Sequence, residues 1–389
     1  MKRIVLFFAL LLSFQGVFAK YTPSESARVS VLICSPGLPI YSQFGHAAVR
    51  IQDTVAKLDA VFDYGTFDMS DVPQFIRNFL SGETYYLLDA RPFDITMWAY
   101  RYEGRGIQEY VLNLSHDEVR NISDYLLKNL RPENQQYLYN FFYDNCATRI
   151  RDILQNQFPD LQWNSTYQPK TWRELIVQYM GTQSWETFGA NMALGIGADK
   201  LATTNEMMFL PDALADGCLH AKINDTKPLL LEKKCLLEPL PQKATSLWND
   251  ATLILWIFAT FIFICTAIEL FKKKRFFVVD IIFFLLMGLF GCVLWILSFS
   301  IHSFVSPNCN ILWLTPLHMI FAVALCIPTL RNKIEWYFLF AALATLVALV
   351  LAVIFGQYIP PTSIPLILLF IARVFPRKTW IFIQTSKTI

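Results

Sequence analysis

The chain has 389 residues, of which 54% are hydrophobic and 16% charged, and its 33 basic and 31 acidic side chains leave a net charge of +2. No basic cluster is interleaved with aromatic residues in its more polar half, which argues against a nucleic-acid partner. Composition divides the chain instead: residues 20–245 are mixed and long enough for one globular domain, whereas from about residue 250 almost everything is apolar.

In chain order, residues 1–19 carry Lys2 and Arg3, an apolar run over 4–12 and a small-residue cleavage site at Val17-Phe18-Ala19, the pattern of a secretory signal peptide. No cysteine follows the expected cut, so the mature chain is expected to begin near Lys20 without a lipid anchor. An exported domain lies where thiols tend to pair. Of the eight cysteines, Cys265, Cys292 and Cys326 fall in apolar runs, and Cys34, Cys146, Cys218, Cys235 and Cys309 lie outside them. Cys218 and Cys235 flank a short polar stretch and are a candidate disulfide pair, although spacing alone does not establish a pairing.

The apolar run 29–34, followed by Ser35, Pro36, Gly37 and Pro39, predicts a strand and a turn. Residues 42–51 and 60–67 predict two neighbouring strands, with His46 near the start of the first and Asp63 and Tyr64 on the second. A histidine at a strand start is more often structural than catalytic. This one, however, is among only five in the chain and follows Gly45, a residue that permits close backbone approach. A short helix over 75–80 and strands over 84–88 and 108–112 come next. Ser115 then caps a helix over 117–130, with Glu118 at the capping-box position and Pro132 beyond its end.

Residues 139–154 read YNFFYDNCATRIRDIL. Asp144 and Asn145 are N-cap types, and Ile150, Ile153 and Leu154 recur at helical spacing, which places Cys146 in the first turn of a helix. A thiol there feels the positive end of the helix dipole, which favours the nucleophilic thiolate. The plain alternative is a small buried residue capping a core helix. A histidine on an early strand and a cysteine at a helix start are the pair that papain-like chemistry requires, with imidazole taking the thiol proton and thiolate attacking an acyl carbon. Asp63 or Tyr64 is the candidate to orient His46, and Asn145 with the first backbone N–H groups of the helix the candidate oxyanion donors. Arg149, one turn on, is either a thiol-activating or phosphate-binding cation or a solvated helix-face charge. The aromatic residues Trp163, Tyr167, Trp172, Tyr179 and Trp185 suit a core or an interfacial belt.

Five apolar spans follow, at 251–271, 277–298, 311–330, 336–355 and 359–374, the last crowded by Pro360, Pro361 and Pro365 at its start and ending near Arg373. Lys272, Lys273, Lys274 and Arg275, then Arg331 and Lys333, then Arg377 and Lys378 mark the intervening loops and the tail 379–389 as cytoplasmic by the positive-inside rule. The loops 299–310 and 356–363 carry no Lys or Arg and are expected on the export side. In the first of them His302, Asn308 and Asn310 are candidates to support the site or bind a lipid headgroup. His318, inside the third span, is a functional candidate by position or a bond to a neighbouring helix.

SQFGHAAVRI, FDYGTF and FYDNCATRIRDIL, with the later Trp185-Glu186-Thr187-Phe188-Gly189 and Leu194-Gly195, resemble the Lnb family of Bacteroidota. More broadly they are similar to the circularly permuted branch of the NlpC/P60 superfamily, which includes lecithin retinol acyltransferase-like thiol enzymes. The resemblance covers nearly the whole chain. It implies an α+β periplasmic domain of papain-like, permuted NlpC/P60 type over 20–245, followed by an all-α transmembrane bundle of about five helices over 250–378. It also implies a multi-pass protein of the inner membrane. The implied activity is lipoprotein N-acylation, with His46 as general base and Cys146 as nucleophile and thioester carrier. A membrane phospholipid would be the acyl donor and a diacylated lipoprotein the acceptor. No cofactor is expected, and no metal, because the sparse His and Cys positions form no zinc spacing. Oligomeric state is not legible. A peptidoglycan amidase or cysteine peptidase would use the same residue pair, and a non-catalytic membrane scaffold would leave Cys146 structural.

Overall fold

The computed structural model describes residues 21–181, 183–241 and 247–374, so the signal-peptide segment, the pair Arg377 and Lys378 and the tail lie outside the described residues. By its contacts the chain forms two units, one comprising residues up to 170 with 201–243, the other comprising 171–200 with everything from 244. The apolar half therefore takes in a 30-residue segment that the sequence places inside the mixed domain.

The first unit is organised on a sheet of seven strands: β1 (Arg28–Cys34), β2 (His46–Asp53), β3 (Leu58–Thr66), β4 (Tyr85–Pro92), β5 (Ile107–Leu112), β6 (Gln136–Leu138) and, after the short strands β7 (Leu161–Gln162), β8 (Lys222–Ile223) and β9 (Lys227–Pro228), β10 (Leu230–Leu237). Their order is β10-β5-β1-β2-β3-β4-β6, and every neighbouring pair is antiparallel. The three short strands form a separate small sheet. β1 and β2, in mid-sheet, are buried along almost their whole length, so they read as apolar runs rather than alternating ones.

Helices α1 (Val72–Ser81), α2 (Phe93–Glu103), α3 (His116–Asn129) and α4 (Cys146–Gln157) belong to this unit. α3 has the expected box, with Ser115 accepting from the Glu118 N–H and Glu118 from the Ser115 N–H. α4 lies against β2 and β3. α2 was not expected; its Phe93, Met97 and Tyr100 recur at helical spacing and pack against Leu32, Cys34, Ala48, Val61 and Ile107. Helices α5 (Trp172–Met180) and α6 (Trp185–Ala193) fall in the second unit, and α7 (Pro211–His220) returns to the first. The candidate disulfide is not formed. Cys218 is fully buried on α7, whereas Cys235 is exposed on the edge strand β10 and its thiol donates to Glu238 at 3.0 Å.

In the second unit, α8 (Ala251–Lys272), α9 (Phe277–Ser298) and a later helix, Trp336–Phe355, are long and apolar enough to cross a membrane. The other two expected spans are not single crossing helices. Between Trp313 and Leu317 the third breaks into α10 (Asn310–Trp313) and α11 (Leu317–Cys326), at Pro316; the helix Trp336–Phe355 is α12. The fifth opens with a tight turn over Pro361–Ser363 and continues for only nine residues as α13 (Ile364–Ala372). Proline removes a backbone donor and clashes with the preceding turn, and nine residues rise about 14 Å against a core of about 30 Å. α11 packs closely on α9. A Cβ at Gly288 would lie 2.5 Å from the Met319 nitrogen, and one at Gly291 2.7 Å from the Thr315 carbonyl carbon, so small residues set this crossing.

The segment 171–200 is tied to loop 299–310 through backbone bonds from Gly195 to Phe304 (2.7 Å) and from Ile196 to Pro307 (3.0 Å). Arg173, 3% exposed, holds the segment together through Asp199 and the carbonyls of Asn191 and Leu194. Trp172 is buried and packs on Phe304, whereas Trp185 is 39% exposed.

Candidate active site

The turn before α4 is built by its own side chains. Asn140 and Asp144 exchange two backbone bonds, and the Asn140 side-chain oxygen accepts from the N–H groups of Phe142 and Tyr143. Asn145 caps the helix: Oδ1 accepts from Ala147 (2.9 Å) and Thr148 (3.0 Å), and Thr148 Oγ1 accepts from the Asn145 N–H at 2.8 Å. Its amide nitrogen donates to the carbonyls of Phe141 and Phe209, both at 2.8 Å. The expected oxyanion role of Asn145 is thereby corrected. Its amide is spent on holding Cys146 at the helix start, and it also consumes the Ala147 and Thr148 N–H groups. The Cys146 N–H is the donor at this helix start that Asn145 does not take.

His46 enters β2 directly after Gly45, whose φ of +76° and closeness to the Cys34 carbonyl leave no room for a side chain; a Cβ there would stand 2.7 Å from that oxygen. The close approach expected at Gly45 is thus present. Gly45→Ala is expected to cost about 1–3 kcal/mol in left-handed strain alone. A lowered denaturant midpoint together with slowed alkylation of Cys146 would register it, and an unchanged midpoint would contradict it.

The His46 imidazole lies between two partners. Nε2 donates to Asp63 Oδ1 at 2.6 Å, and the Cys146 side chain is near enough to the same ring to act on its charge. Burial works against a charged imidazole here, but the Asp63 carboxylate and then Cys146 outweigh it and hold the His46 pKa well above its ordinary 6.5. Burial likewise opposes ionisation of Asp63, yet His46, with Arg91 and Arg105, keeps its carboxyl below the usual value. Arg91 Nη2 stands 3.7 Å from Asp63 Oδ2 and 2.9 Å from Asp89. Both His46 and Asp63 side chains remain 19% exposed, so the pair is open to a substrate.

Of the two candidates to orient His46, Asp63 does so. Tyr64 is corrected: it is 1% exposed and packs edge-on against Tyr137 at 6.0 Å, since successive residues of a strand face opposite ways. Arg149 is also corrected. It grips Asp144 with two bonds (2.5 and 2.7 Å) and lies 4.0 Å over the Tyr137 ring, so it braces the cysteine turn rather than offering a cation to thiol or phosphate.

His302 and Asn308 belong to the second unit. Asn308, 5% exposed, donates to the carbonyls of Met192 and Ala193 and accepts from Gln357 and from the Asn310 N–H. That leaves no free amide for a headgroup, so its expected ligand role is corrected to a tether for α6. The backbone N–H of His302 donates to Ser300 Oγ. His318 donates through Nε2 to the Trp313 carbonyl and accepts at Nδ1 from Tyr337, a helix-bonding histidine.

Three residues escaped the sequence reading. Arg91 did because its strand was expected to end at 88, although alternating charges at Asp89 and Arg91 signal a continued strand face. Tyr86 and Tyr139 stack at 4.1 Å; burial and then the Cys146 charge push the Tyr86 phenol up to about 12, and burial, then Tyr86 and then Cys146, push the Tyr139 phenol well above 10. Among the described residues no three His, Cys, Asp or Glu side chains gather as a metal site would require.

A thiol at a helix start, with a histidine and a carboxylate bonded to each other on adjacent antiparallel strands, belongs to a sheet-rich α+β domain, followed here by a helical apolar unit. Residues 14–178 match the Lnb N-terminal periplasmic domain and residues 245–386 the Lnb transmembrane domain. The chain belongs to the Lnb family and is a membrane protein with a periplasmic N-terminal region. No curated protein and no solved structure matches it.

Proposed function

We propose that this chain is a lipoprotein N-acyltransferase of the inner membrane, crossing it several times with residues 20–245 on the periplasmic side. The observation that carries this reading is the His46 imidazole held by Asp63 at 2.6 Å with the Cys146 thiol near enough to act on its charge. The basic loops 272–275 and Arg331 with Lys333, set against Lys- and Arg-free loops 299–310 and 356–363, favour this orientation.

In the first step the Cys146 sulfur attacks the acyl-ester carbon of a membrane phospholipid. The Cys146 N–H, at the start of α4, receives the developing oxyanion, and His46 gives its proton to the departing lysophospholipid oxygen as the ester C–O bond breaks. In the second, the α-amine of a diacylated lipoprotein attacks the thioester. His46 takes the amine proton, the C–S bond breaks, and the sulfur leaves as thiolate, ready for another cycle. Asp63 holds the ring in place through both steps. No metal or cofactor enters.

The test is mass spectrometry of a lipoprotein's N-terminal peptide from cells expressing the intact protein, Cys146→Ala or His46→Ala. A third acyl chain is expected with the intact protein and with neither variant. An acceptor that stays diacylated beside well-folded, inserted protein would overturn the reading, and release of muropeptides from purified cell wall would replace it with a wall hydrolase.

A further inference from the structure

The loop that leads from β1 into His46, residues 35–45, carries no charged side chain. Gly37 and Ser42 are buried, but between them Leu38, Ile40 and Tyr41 are 69%, 60% and 68% exposed. The loop is closed by its own bonds. Gly37 donates to the Ser42 carbonyl at 2.9 Å, and Ser42 returns both its N–H and its Oγ to the Pro39 carbonyl at 2.8 Å. A Cβ at Gly37 would stand 2.5 Å from Ser42 Oγ, so this neck admits nothing larger. Below it, the Ser35 carbonyl accepts from Arg105 Nε and Ser35 Oγ from the Gly106 N–H, both at 2.8 Å. On the other side Phe44 lies 4.8 Å from Phe141, in the turn before Cys146. A braced loop that presents three large apolar side chains outward, at the entry to the His46 strand, calls for an apolar surface.

The path of the chain says which surface that is. After β10 ends at Leu237, the chain passes the same neck: Leu240 donates to the Gly104 carbonyl at 2.9 Å, and a Cβ at Gly106 would meet Pro239 at 2.7 Å. The first membrane-length helix, α8, begins at Ala251. From Leu240 to Ala251 a chain stretches to about 40 Å at most, so this end of the first unit is leashed to a bilayer. α2, which ends beside the neck, carries Trp98 and Tyr102 exposed and stacked at 5.7 Å, residue types that gather where a bilayer meets water.

We propose that the tip formed by Leu38, Ile40 and Tyr41 inserts into the periplasmic leaflet of the phospholipid bilayer and holds the entry to the His46 strand at the membrane surface. Lipid suits this tip better than a protein groove does. The loop offers no charge for a partner to match, Pro36 and Pro39 bring no N–H, and the Gly37 and Ser42 donors are already turned inward, as a medium without hydrogen bonds requires. The insertion depends on the membrane anchorage of the chain and not on the acyl-transfer step.

Full-length protein in nanodiscs of phosphatidylethanolamine and phosphatidylglycerol, with p-benzoylphenylalanine in place of Leu38 or Ile40, tests this by photocrosslinking, read as lipid mass on the loop peptide. The same label in place of Leu346, exposed on the membrane-length α12, sets the yield for direct lipid contact. In place of Val55, 73% exposed in the turn at the opposite end of β2 from His46, it sets the background for an apolar side chain outside the bilayer. Yields at Leu38 and Ile40 are expected within about threefold of the Leu346 yield and at least about tenfold above that at Val55. Leu38→Asp with Tyr41→Asp is expected to lower the yield at Ile40 at least about fivefold. Alkylation of Cys146 in detergent, which needs no insertion, should stay at the wild-type rate and show that the double variant is folded. Yields at Leu38 and Ile40 no higher than at Val55, or a yield at Ile40 that the two aspartates leave unchanged, overturn the insertion. Adducts to a second protein in native membranes, in place of lipid, overturn it as well.

Discussion

Asp63→Asn is expected to slow acylation of Cys146 by about two to four orders of magnitude and to move the His46 limb of the pH profile to lower pH. The carboxylate is what overcomes the burial that would otherwise keep His46 neutral. With Asp63 present the folded-state pKa lies above 6.5, so the imidazolium persists through neutral pH. Without that charge burial remains and acts in the opposite direction, so the imidazolium is lost at a lower pH than in the wild type. The asparagine oxygen can still meet Nε2 at this position, but its amide can also turn and hold the wrong tautomer. Alkylation of Cys146 by iodoacetamide across a pH series reads the pair without any lipid substrate. A variant profile that superimposes on the wild type would remove Asp63 from the site. Arg91, 33% exposed and 3.7 Å from Asp63, is a weaker influence, and its loss should shift the same limb by less.

Much of this site was legible because its parts are local. Asn145 and the periodic apolar residues after Cys146 announce a helix start wherever the chain lies, and α4 begins at Cys146. His46 and Asp63 were readable as residents of adjacent strands, since β2 and β3 form a hairpin through a short turn and need no long-range information to pair. The choice between Asp63 and Tyr64 was not readable: consecutive strand residues face opposite ways, and which face meets His46 is set by how the strand packs in the sheet, not by the residue types. Polar residues were misread for a common reason. Asn145, Arg149 and Asn308 are of types that serve ligands, but each is engaged by protein atoms, Asn145 and Asn308 by the distant Phe209 and Met192 and Arg149 by the nearby Asp144. Sequence shows a donor and never its partner. Hydropathy, likewise, reported five apolar runs correctly as apolar and could not report that Pro316 and the 360–365 prolines leave two of them short of crossing length.

Replacing Arg373 with Met is expected to destabilise the helical unit by about 3–5 kcal/mol, a cost usual for stranding buried charges. Arg373 is 1% exposed, and its guanidinium is fully shared: Nε donates to Asp280 at 2.8 Å, Nη1 to Thr266 at 2.7 Å and to Glu269 at 2.5 Å, and Nη2 to Glu269 at 3.1 Å. One cation thus joins the end of α8, the start of α9 and the residue just after α13. Without it Glu269 and Asp280, 2% and 0% exposed, lose the guanidinium that they share. Lysine is expected to rescue poorly, because a point donor cannot reproduce the fork that reaches three side chains on two helices. If stranded charge is the cause, then neutralising the carboxylates in the Arg373→Met background, by Glu269→Gln with Asp280→Asn, should restore part of the loss, and the interaction term of the cycle should be large. Denaturant titration of the detergent-solubilised protein, followed by tryptophan fluorescence, measures all four. Equal stability of Arg373→Met and wild type would show that the cluster contributes nothing net. Loss without recovery in the combined variant would place the cost in packing of the guanidinium stem rather than in its charge.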